Sequence, residues 1–225
     1  MRITELAEGE YYHIYNRGNR GHEIFIDDVD RARFLFLIMY FQSSVTIRNP
    51  GQQAKNYLRE KSFRVMPLTT AKVVQSRCTH LVNFAMMGNH FHITLFEKKE
   101  NGISKYMHRV QMAYAKYFNT KYKKVGHLFE GAFHSVRVRG NTQLLHLSAY
   151  IHKNPHAIRE WRGREHLYPW SSYQDYLAKN RWDALLQPDI VRGQFGTADA
   201  YKKFVDASKS GDFEEIVGSE HSFED

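Results

Sequence analysis

Two hydrophobic periods alternate along this chain, and their order constrains its fold more than any other feature of the sequence. Apolar residues recur at every second position where a strand is predicted, and at every third or fourth position where an amphipathic helix is predicted. In chain order, the predicted elements are a strand at 11–15, a helix at 29–42, strands at 80–86 and from 90, a helix at 103–122, a strand at 129–138 and a helix over 141–151. This is the order of the split βαβ arrangement of ferredoxin-like domains. We therefore predict an α+β fold, in which helices cover one face of an antiparallel sheet, one helix is added, and the other face is open.

The two central strands are predicted to form a hairpin, because Gly88 and Asn89 suit a tight turn between them. Successive side chains of a strand point to opposite faces of a sheet. In the first strand, the residues that should share a face are His80, Val82, Phe84 and Met86. In the second strand, the apolar residues that should face the core are Phe91, Ile93 and Leu95. The polar residues that should face the open side are His90, His92 and Thr94.

Two segments fall outside this pattern. Residues 43–77 contain Asn49, Pro50, Gly51 and Pro67, which indicate an irregular insertion with one short helix near 52–60. Residues 177–225 are interpreted as a C-terminal extension. Since the chain shows no internal repeat, its 225 residues suit one main domain, which we place at 1–176.

The charge balance favours an anionic partner. The chain has 32 Lys and Arg residues against 24 Asp and Glu residues, a formal net charge of +8, and 14% aromatic residues. Nucleic acid is the favoured partner, although solvated surface faces would give the same charge. No membrane association is expected, because no apolar run approaches the ~20 residues that span a bilayer. The first residues lack the order of a signal peptide, and the single Cys78 cannot form an intrachain disulfide, so a cytoplasmic location is expected.

The strand that begins at His90 offers a pair of metal ligands. His90 and His92 are two residues apart, so their side chains lie on one face at a spacing of about two strand rises of ~3.3 Å. Both imidazoles could then reach one divalent cation. The alternative is an exposed strand face that carries histidines without a metal. A third ligand is needed to decide between the two interpretations.

The helix near the end of the predicted domain contains a candidate nucleophile. Tyr150 and Asn154 are four residues apart and therefore lie on the same helical face, and Pro155 ends the helix just beyond them. A tyrosine oxygen beside a metal held by His90, His92 and Asn154 could attack a phosphate. By spacing alone, however, Tyr150 could also be a packed helix residue, and Tyr114 or Tyr117 would be equally good candidates.

Several motifs together resemble a known family. They are NHFHITL at 89–95, GHLFEG at 126–131, AYIHKNP at 149–155 and YPWSSY at 168–173. Over about residues 10–176 their order and spacing are similar to those of the single-tyrosine HUH transposases of bacterial insertion sequences and of the REP-associated tyrosine transposases. The resemblance implies that His90, His92 and Asn154 hold Mg²⁺ or Mn²⁺. It also implies that the nucleophile is Tyr150 rather than Tyr114 or Tyr117.

The same resemblance implies an enzyme that cleaves and rejoins single-stranded DNA containing a hairpin, through a 5′-phosphotyrosine intermediate, as a monomer or homodimer. The segment YHIYNRGN at 12–19 also matches, and with the nearby Arg20 it makes Arg17 and Arg20 candidate phosphate contacts. Further candidate DNA contacts are Lys116, Lys121, Lys123, Lys124, Arg137 and Arg139. Family members often carry a basic residue where this chain has Ala132, and Arg137 and Arg139 lie close by in sequence.

Two other functions remain compatible with the sequence. One is a non-catalytic module that binds single-stranded nucleic acid by stacking bases on a ferredoxin-like sheet. That module would need aromatic side chains on the strand face that carries His90, His92 and Thr94. The other is a zinc hydrolase, which would need a third His, Cys or carboxylate near His90 and His92.

Overall fold

The computed structural model describes residues 5–208, which contain one four-stranded antiparallel sheet. Its strands are β1 Tyr11–Arg17, β2 Thr79–Met86, β3 His90–Glu97 and β4 His134–Val138. The order across the sheet is β2-β3-β1-β4, and each neighbouring pair is antiparallel. This is the ferredoxin-like arrangement, so the predicted fold class is confirmed.

Eight α-helices accompany the sheet within the described range. They are α1 Asp28–Tyr40, α2 Pro50–Glu60, α3 Pro67–Ser76, α4 Gly102–Tyr122, α5 Asn141–Lys153, α6 Tyr173–Leu177, α7 Asp189–Arg192 and α8 Ala198–Ala207. The three predicted main helices correspond to α1, α4 and α5. None of the helices between residues 5 and 208 has the length and apolarity needed to cross a membrane.

The insertion at 43–77 contains two helices where one was predicted. The helix expected near 52–60 is α2, but α3 was missed. Pro67 at the start of α3 was interpreted as a loop signal, although proline is favoured in the first turn of a helix. Of the α3 side chains only Val73 is buried, so its sequence shows no hydrophobic stripe.

Helices α1 and α4 cover one side of the sheet, which we call the first face. The apolar residues of β3 pack there as predicted: Phe91, Ile93 and Leu95. The predicted stripe of α4 is buried against the same core and consists of Ile103, Met107, Val110, Tyr114 and Phe118. Helix α1 begins at a capping box. The Asp27 carboxylate accepts a hydrogen bond from the backbone amide of Asp30, and the Asp30 carboxylate accepts one from the backbone amide of Asp27.

The opposite side of the sheet, which we call the second face, is covered by α5. A second apolar core forms between α5, the sheet and helices α6 to α8, and it includes Val82, Leu147, Tyr176 and Val205. The prediction of an open face is therefore wrong for most of its area. The reason is that α5 has its own apolar stripe, which must be buried, and the second face is the surface available to it.

Strand β2 departs from simple alternation. A register shift between Leu81 and Asn83 inserts an extra residue, so that Leu81 joins Phe84 in the first core while Val82 joins the second. The predicted grouping of His80 and Val82 with Phe84 is wrong for this reason, since a bulge reverses the alternation beyond it.

Strand β4 begins at His134, five residues later than predicted. Gly131 has a φ of 120°, a left-handed backbone that ends extended pairing. Phe129 makes one isolated bridge to Gly18 instead of continuing the strand. The segment 129–133 is consequently a loop.

Candidate active site on the second face of the sheet

The site begins with the pairing of β1 and β3. Register places Tyr15 opposite His92 and Arg17 opposite His90. Since His13 is two residues from Tyr15, it lies on the same face and diagonally next to His92. The centroid of the His92 ring is 5.1 Å from that of His90 and 5.1 Å from that of His13. The predicted histidine pair therefore shares its face with a third imidazole.

Hydrogen bonds orient the His90 ring. The side-chain nitrogen of Asn89 donates to the Gly21 carbonyl at 3.3 Å, which turns the side-chain oxygen of Asn89 towards His90. That oxygen lies 2.6 Å from Nδ1 of His90 and can only accept, so Nδ1 carries the hydrogen. In the neutral ring, Nε2 then presents a lone pair. Nε2 faces the side-chain oxygen of Asn154 at 3.4 Å.

Asn154 lies at the end of α5, and its amide orientation follows from the helix. Its side-chain nitrogen donates to the Tyr150 carbonyl at 3.5 Å, which leaves its Oδ1 directed at His90. The buried Pro155 follows at once, and the chain continues as a 3-10 turn over Asn154–Ala157. The end of the helix therefore places the side-chain oxygen of Asn154 beside His90.

His92 is buried beneath α5, with 1% of its surface exposed. Its Nδ1 lies 2.9 Å from Nε2 of His13, so the contact with His13 uses Nδ1 of His92 and not Nε2. Burial, followed by the neighbouring His90 and His13, holds the pKa of His92 well below its ordinary value. The His92 ring is therefore neutral at pH 7, which is the form that binds a metal.

Tyr150 lies over the histidines. Its half-buried ring meets those of His92 and His13 edge-on, at centroid distances of 5.4 and 6.0 Å. Burial and the nearby Tyr150 raise the pKa of Tyr15 to about 12, so the Tyr15 hydroxyl keeps its hydrogen at neutral pH. The structure thus brings His90, His92, Asn154 and Tyr150 together on one face.

The two rival tyrosines lie on the other side of the sheet. Tyr114 is fully buried in the first core, where its hydroxyl donates to the Ile24 carbonyl. Tyr117 donates to an Asp30 carboxylate oxygen at 2.8 Å. The sheet separates both hydroxyls from His90 and His92, so neither shares the site with the histidines.

Sequence reasoning missed His13, Tyr15 and His134. Tyr15 stacks on His134 of the edge strand at a centroid distance of 5.0 Å, and it also lies 5.9 Å from the His92 ring. Alternation in β1 directs His13 and Tyr15 to the face of the sheet that does not carry the core residues Tyr12 and Ile14, and this alternation is visible in the sequence. Which residues they would meet on β3 and β4 depends on register, which the sequence does not display.

Of the eight basic residues predicted to contact DNA, three are engaged in ion pairs. Arg17 pairs with Glu130, Arg137 pairs with Glu10, and Lys121 pairs with Asp27 and Asp30. The other five form no ion pair within residues 5–208: Arg20, Lys116, Lys123, Lys124 and Arg139. Arg20 and Lys124 line a cleft of about 500 Å³, and Lys116 lines a neighbouring cleft of about 940 Å³.

This fold and this site define a class of protein: a ferredoxin-like domain with a histidine pair on its sheet and a tyrosine on the covering helix. Residues 53–154 match the family model described as IS200-like transposase. Over these residues, slightly less than half of the chain, it is similar to that family, and the resemblance indicated by the motifs is confirmed. The matched range begins within α2 and ends at Asn154, so it includes both histidines and Tyr150.

One solved structure similar to this chain is that of the REP-associated tyrosine transposase bound to a REP hairpin. The two chains are 13% identical, with a TM-score of 0.49, and the similarity covers 84% of this chain and 92% of the other. No curated protein matches the chain.

Proposed function

We propose that this protein is a transposase that cleaves and rejoins single-stranded DNA carrying a hairpin, with Tyr150 as the nucleophile. The observation that carries the proposal is that Oδ1 of Asn154 lies 3.4 Å from Nε2 of His90, while the Tyr150 ring meets the neighbouring His92 ring edge-on at a centroid distance of 5.4 Å. The match of residues 53–154 to the IS200-like transposase family model supports the same reaction class.

The donor atoms at the site suit a divalent cation. Nε2 of His90 and Oδ1 of Asn154 each present a lone pair, and they lie 3.4 Å apart. Two such atoms repel each other, whereas two ligands at right angles around one cation are about 3 Å apart when each metal bond is ~2.1 Å. A cation between them would therefore turn a repulsive contact into coordination. The remaining Nε2 of His92 would be the third ligand.

Nitrogen and amide-oxygen donors suit Mn²⁺ at least as well as Mg²⁺, which prefers oxygen. When bound, either ion would polarise a phosphoryl oxygen and screen the charge of the attacking oxygen. His90, His92 and Asn154 would hold it, and Asn89 and His13 would orient the two imidazoles. Within residues 5–208 no three His, Cys, Asp or Glu side chains form a metal cluster, so the zinc-hydrolase alternative has no third ligand there.

The chemistry would proceed in two balanced steps. The Tyr150 oxygen loses its proton and bonds to a backbone phosphorus, while the bond from phosphorus to the 3′ oxygen breaks and that oxygen leaves as a hydroxyl. The 5′ phosphate is then held on Tyr150 as an ester. A second 3′-hydroxyl attacks the ester and releases the tyrosine, which rejoins the strands. No external energy source is required, because one phosphodiester is exchanged for another.

The DNA would be bound by the basic residues that form no ion pair within residues 5–208. Arg20 and Lys124 share one cleft, and Lys123 lies next to Lys124 in the chain. Cations without an acidic partner release counterions on binding phosphate and provide most of the affinity for single strands. We therefore expect these residues to contribute more than Arg17, Lys121 and Arg137, which are already paired.

The test is to incubate the protein with a hairpin-bearing single-stranded DNA and Mn²⁺ and to look for a covalent adduct on a denaturing gel. Tyr150→Phe should abolish the adduct and change the free energy of unfolding by no more than about 1 kcal/mol, the net value of one hydroxyl hydrogen bond. Tyr117→Phe is the matched control, since it removes a hydroxyl from the first face and should leave cleavage intact.

Mass spectrometry of the DNA-linked peptide then identifies the nucleophile. An adduct on any tyrosine other than Tyr150 would overturn the assignment. If the protein binds hairpin DNA tightly and no adduct forms with any hairpin substrate, the non-catalytic binding module becomes the better description.

A further inference from the structure

We propose that His13 is a positioning residue for His92: through its hydrogen bond it holds the His92 ring so that Nε2 of that ring faces the cation. The inference rests on the proposed function in one respect, namely that His92 is a metal ligand. His13 itself is not assigned as a ligand, because its Nε2 lies 2.9 Å from Nδ1 of His92 and is directed at that ring.

The two imidazoles are held by the sheet rather than by flexible loops. His13 is fully buried in β1, and His92 is buried in the neighbouring strand β3. Their rings are nearly parallel, with planes at 22° and centroids 5.1 Å apart. Tyr15 and Tyr150 flank the His13 ring, at centroid distances of 4.9 and 6.0 Å. Rotation of His13 is therefore restricted by packing, and a restricted ring is a suitable anchor for its neighbour.

The hydrogen between the two rings determines whether His92 can bind a cation. If Nδ1 of His92 donates to Nε2 of His13, then the neutral His92 ring carries its lone pair on Nε2. If His13 donates instead, the hydrogen of His92 must sit on its own Nε2, which cannot then be a ligand. Metal-binding histidines generally donate their other ring N–H to a neighbouring acceptor. In this proposal His13 is that acceptor, through the 2.9 Å contact between its Nε2 and Nδ1 of His92.

Loss of the acceptor should weaken metal binding without removing any ligand. A His13→Leu variant lacks the acceptor at position 13, so the His92 ring should be held less firmly in one tautomer and one orientation. Removing such an outer partner of a metal ligand typically costs about 10- to 100-fold in affinity. His13→Gln is the conservative variant, because its side-chain oxygen can accept the same hydrogen bond, and it should restore most of the affinity.

Mn²⁺ affinity would be measured without DNA, from the electron paramagnetic resonance signal of free Mn²⁺. We expect the dissociation constant of His13→Leu to rise by about 10- to 100-fold and that of His13→Gln to rise much less. Circular dichroism would confirm that each variant is folded. A folded His13→Leu protein with wild-type affinity would overturn the inference.

A second measurement needs no change at His13. Nitrogen-15 NMR of the imidazoles in the wild-type protein, with Mg²⁺ and without it, reports which nitrogen of each ring carries hydrogen, and a His92→Gln variant identifies the His92 signals. We expect hydrogen on Nδ1 of His92 in both conditions. Hydrogen on Nε2 of His92 in the Mg²⁺ sample would overturn the proposal even if His13→Leu failed to fold.

These outcomes separate the inference from the proposed function. If Mn²⁺ binds in a His13-dependent manner but no DNA adduct forms, the positioning role stands and the transposase reaction fails. If an adduct forms and Mn²⁺ binding is indifferent to His13, the reaction stands and the positioning role fails.

Discussion

His90 and Asn154 present the most informative contact at the scale of single residues. Nε2 of His90 and Oδ1 of Asn154 lie 3.4 Å apart. The His90 ring is oriented by Asn89, which is itself held by the Gly21 carbonyl, and the Asn154 amide is oriented by the Tyr150 carbonyl at the end of the helix. Such pre-orientation lowers the entropy lost when a cation binds, because the ligands are already aimed at a common point.

A substitution series at Asn154 tests whether its side-chain oxygen binds a cation. Asn154→Ala removes one ligand and should weaken Mn²⁺ binding by at least roughly tenfold. Asn154→Asp replaces the amide oxygen with a carboxylate oxygen and should strengthen Mn²⁺ binding, since a carboxylate is a stronger oxygen donor for this ion. Isothermal titration with MnCl₂ measures both. Affinities that are equal across the series would show that Asn154 does not contact the metal.

At the scale of elements, the orientation of α5 depends on contacts on the side away from Tyr150. The Tyr201 hydroxyl of α8 forms hydrogen bonds with the Ser148 hydroxyl at 2.5 Å and with Nδ1 of His152 at 2.6 Å. Nε2 of His152 bonds to the Ser172 hydroxyl at 2.8 Å, and Ser172 in turn bonds to the backbone of Phe84 in β2. This buried network ties α5 to both α8 and the sheet.

Tyr201→Phe should therefore loosen the helix that carries the proposed nucleophile. The change leaves the buried side chains of Ser148 and His152 without their Tyr201 partner, at a cost of about 1–3 kcal/mol. Denaturant unfolding should show that loss, and hydrogen exchange should quicken at the α5 amides. Lys202→Ala on the exposed side of α8 is the control, with little change expected. Equal unfolding free energies for Tyr201→Phe and wild type would contradict the role of the network.

The same packing bears on the boundary predicted at 176. Helix α8 lies beyond that boundary, yet Tyr201 and Val205 belong to the second core together with α5. In this structure residues 177–208 therefore complete the packing of the predicted domain. The remainder of the predicted extension, 209–225, lies outside the described residues, and the boundary itself stays a prediction.

At the scale of the whole molecule, one chain supplies all four residues of the proposed site. β3 contributes both histidines, and α5 of the same chain contributes Tyr150 and Asn154. A site of this kind does not need a helix from a second copy. A monomer would accordingly suffice for cleavage, and a dimer would contain two independent sites.

Mixing two inactive variants tests this arrangement. A His90→Ala protein keeps its tyrosine and a Tyr150→Phe protein keeps its metal ligands, so an exchange of α5 between copies would rebuild one intact site. We expect the mixture to form no more DNA adduct than either variant alone. Wild type mixed with Tyr150→Phe is the control and should retain its own activity. Adduct formation in the first mixture would show that the helix acts in the partner copy.

Local patterns in the sequence were sufficient for much of this protein. Periodicity identified β1, the β2–β3 hairpin and the helices α1, α4 and α5, because apolar residues recur in each at strand or helix spacing. The bulge in β2 and the burial of α1 on all sides from Phe34 to Tyr40 depart from that pattern. The family motifs singled out His90, His92, Tyr150 and Asn154, and short-range geometry explains why they could be grouped: two residues apart on a strand, and four apart on a helix.

Only the tertiary structure decided the features that depend on pairing between distant segments. His13 meets His92 across 79 residues of sequence, because β1 lies beside β3 in one particular register. The same holds for the ion pairs that engage Arg17, Lys121 and Arg137, and for the burial of the second face under α5. A residue pattern predicts on which face of an element a side chain lies. Which other elements pack against that face is determined by the packing free energy of the whole chain, to which every element contributes.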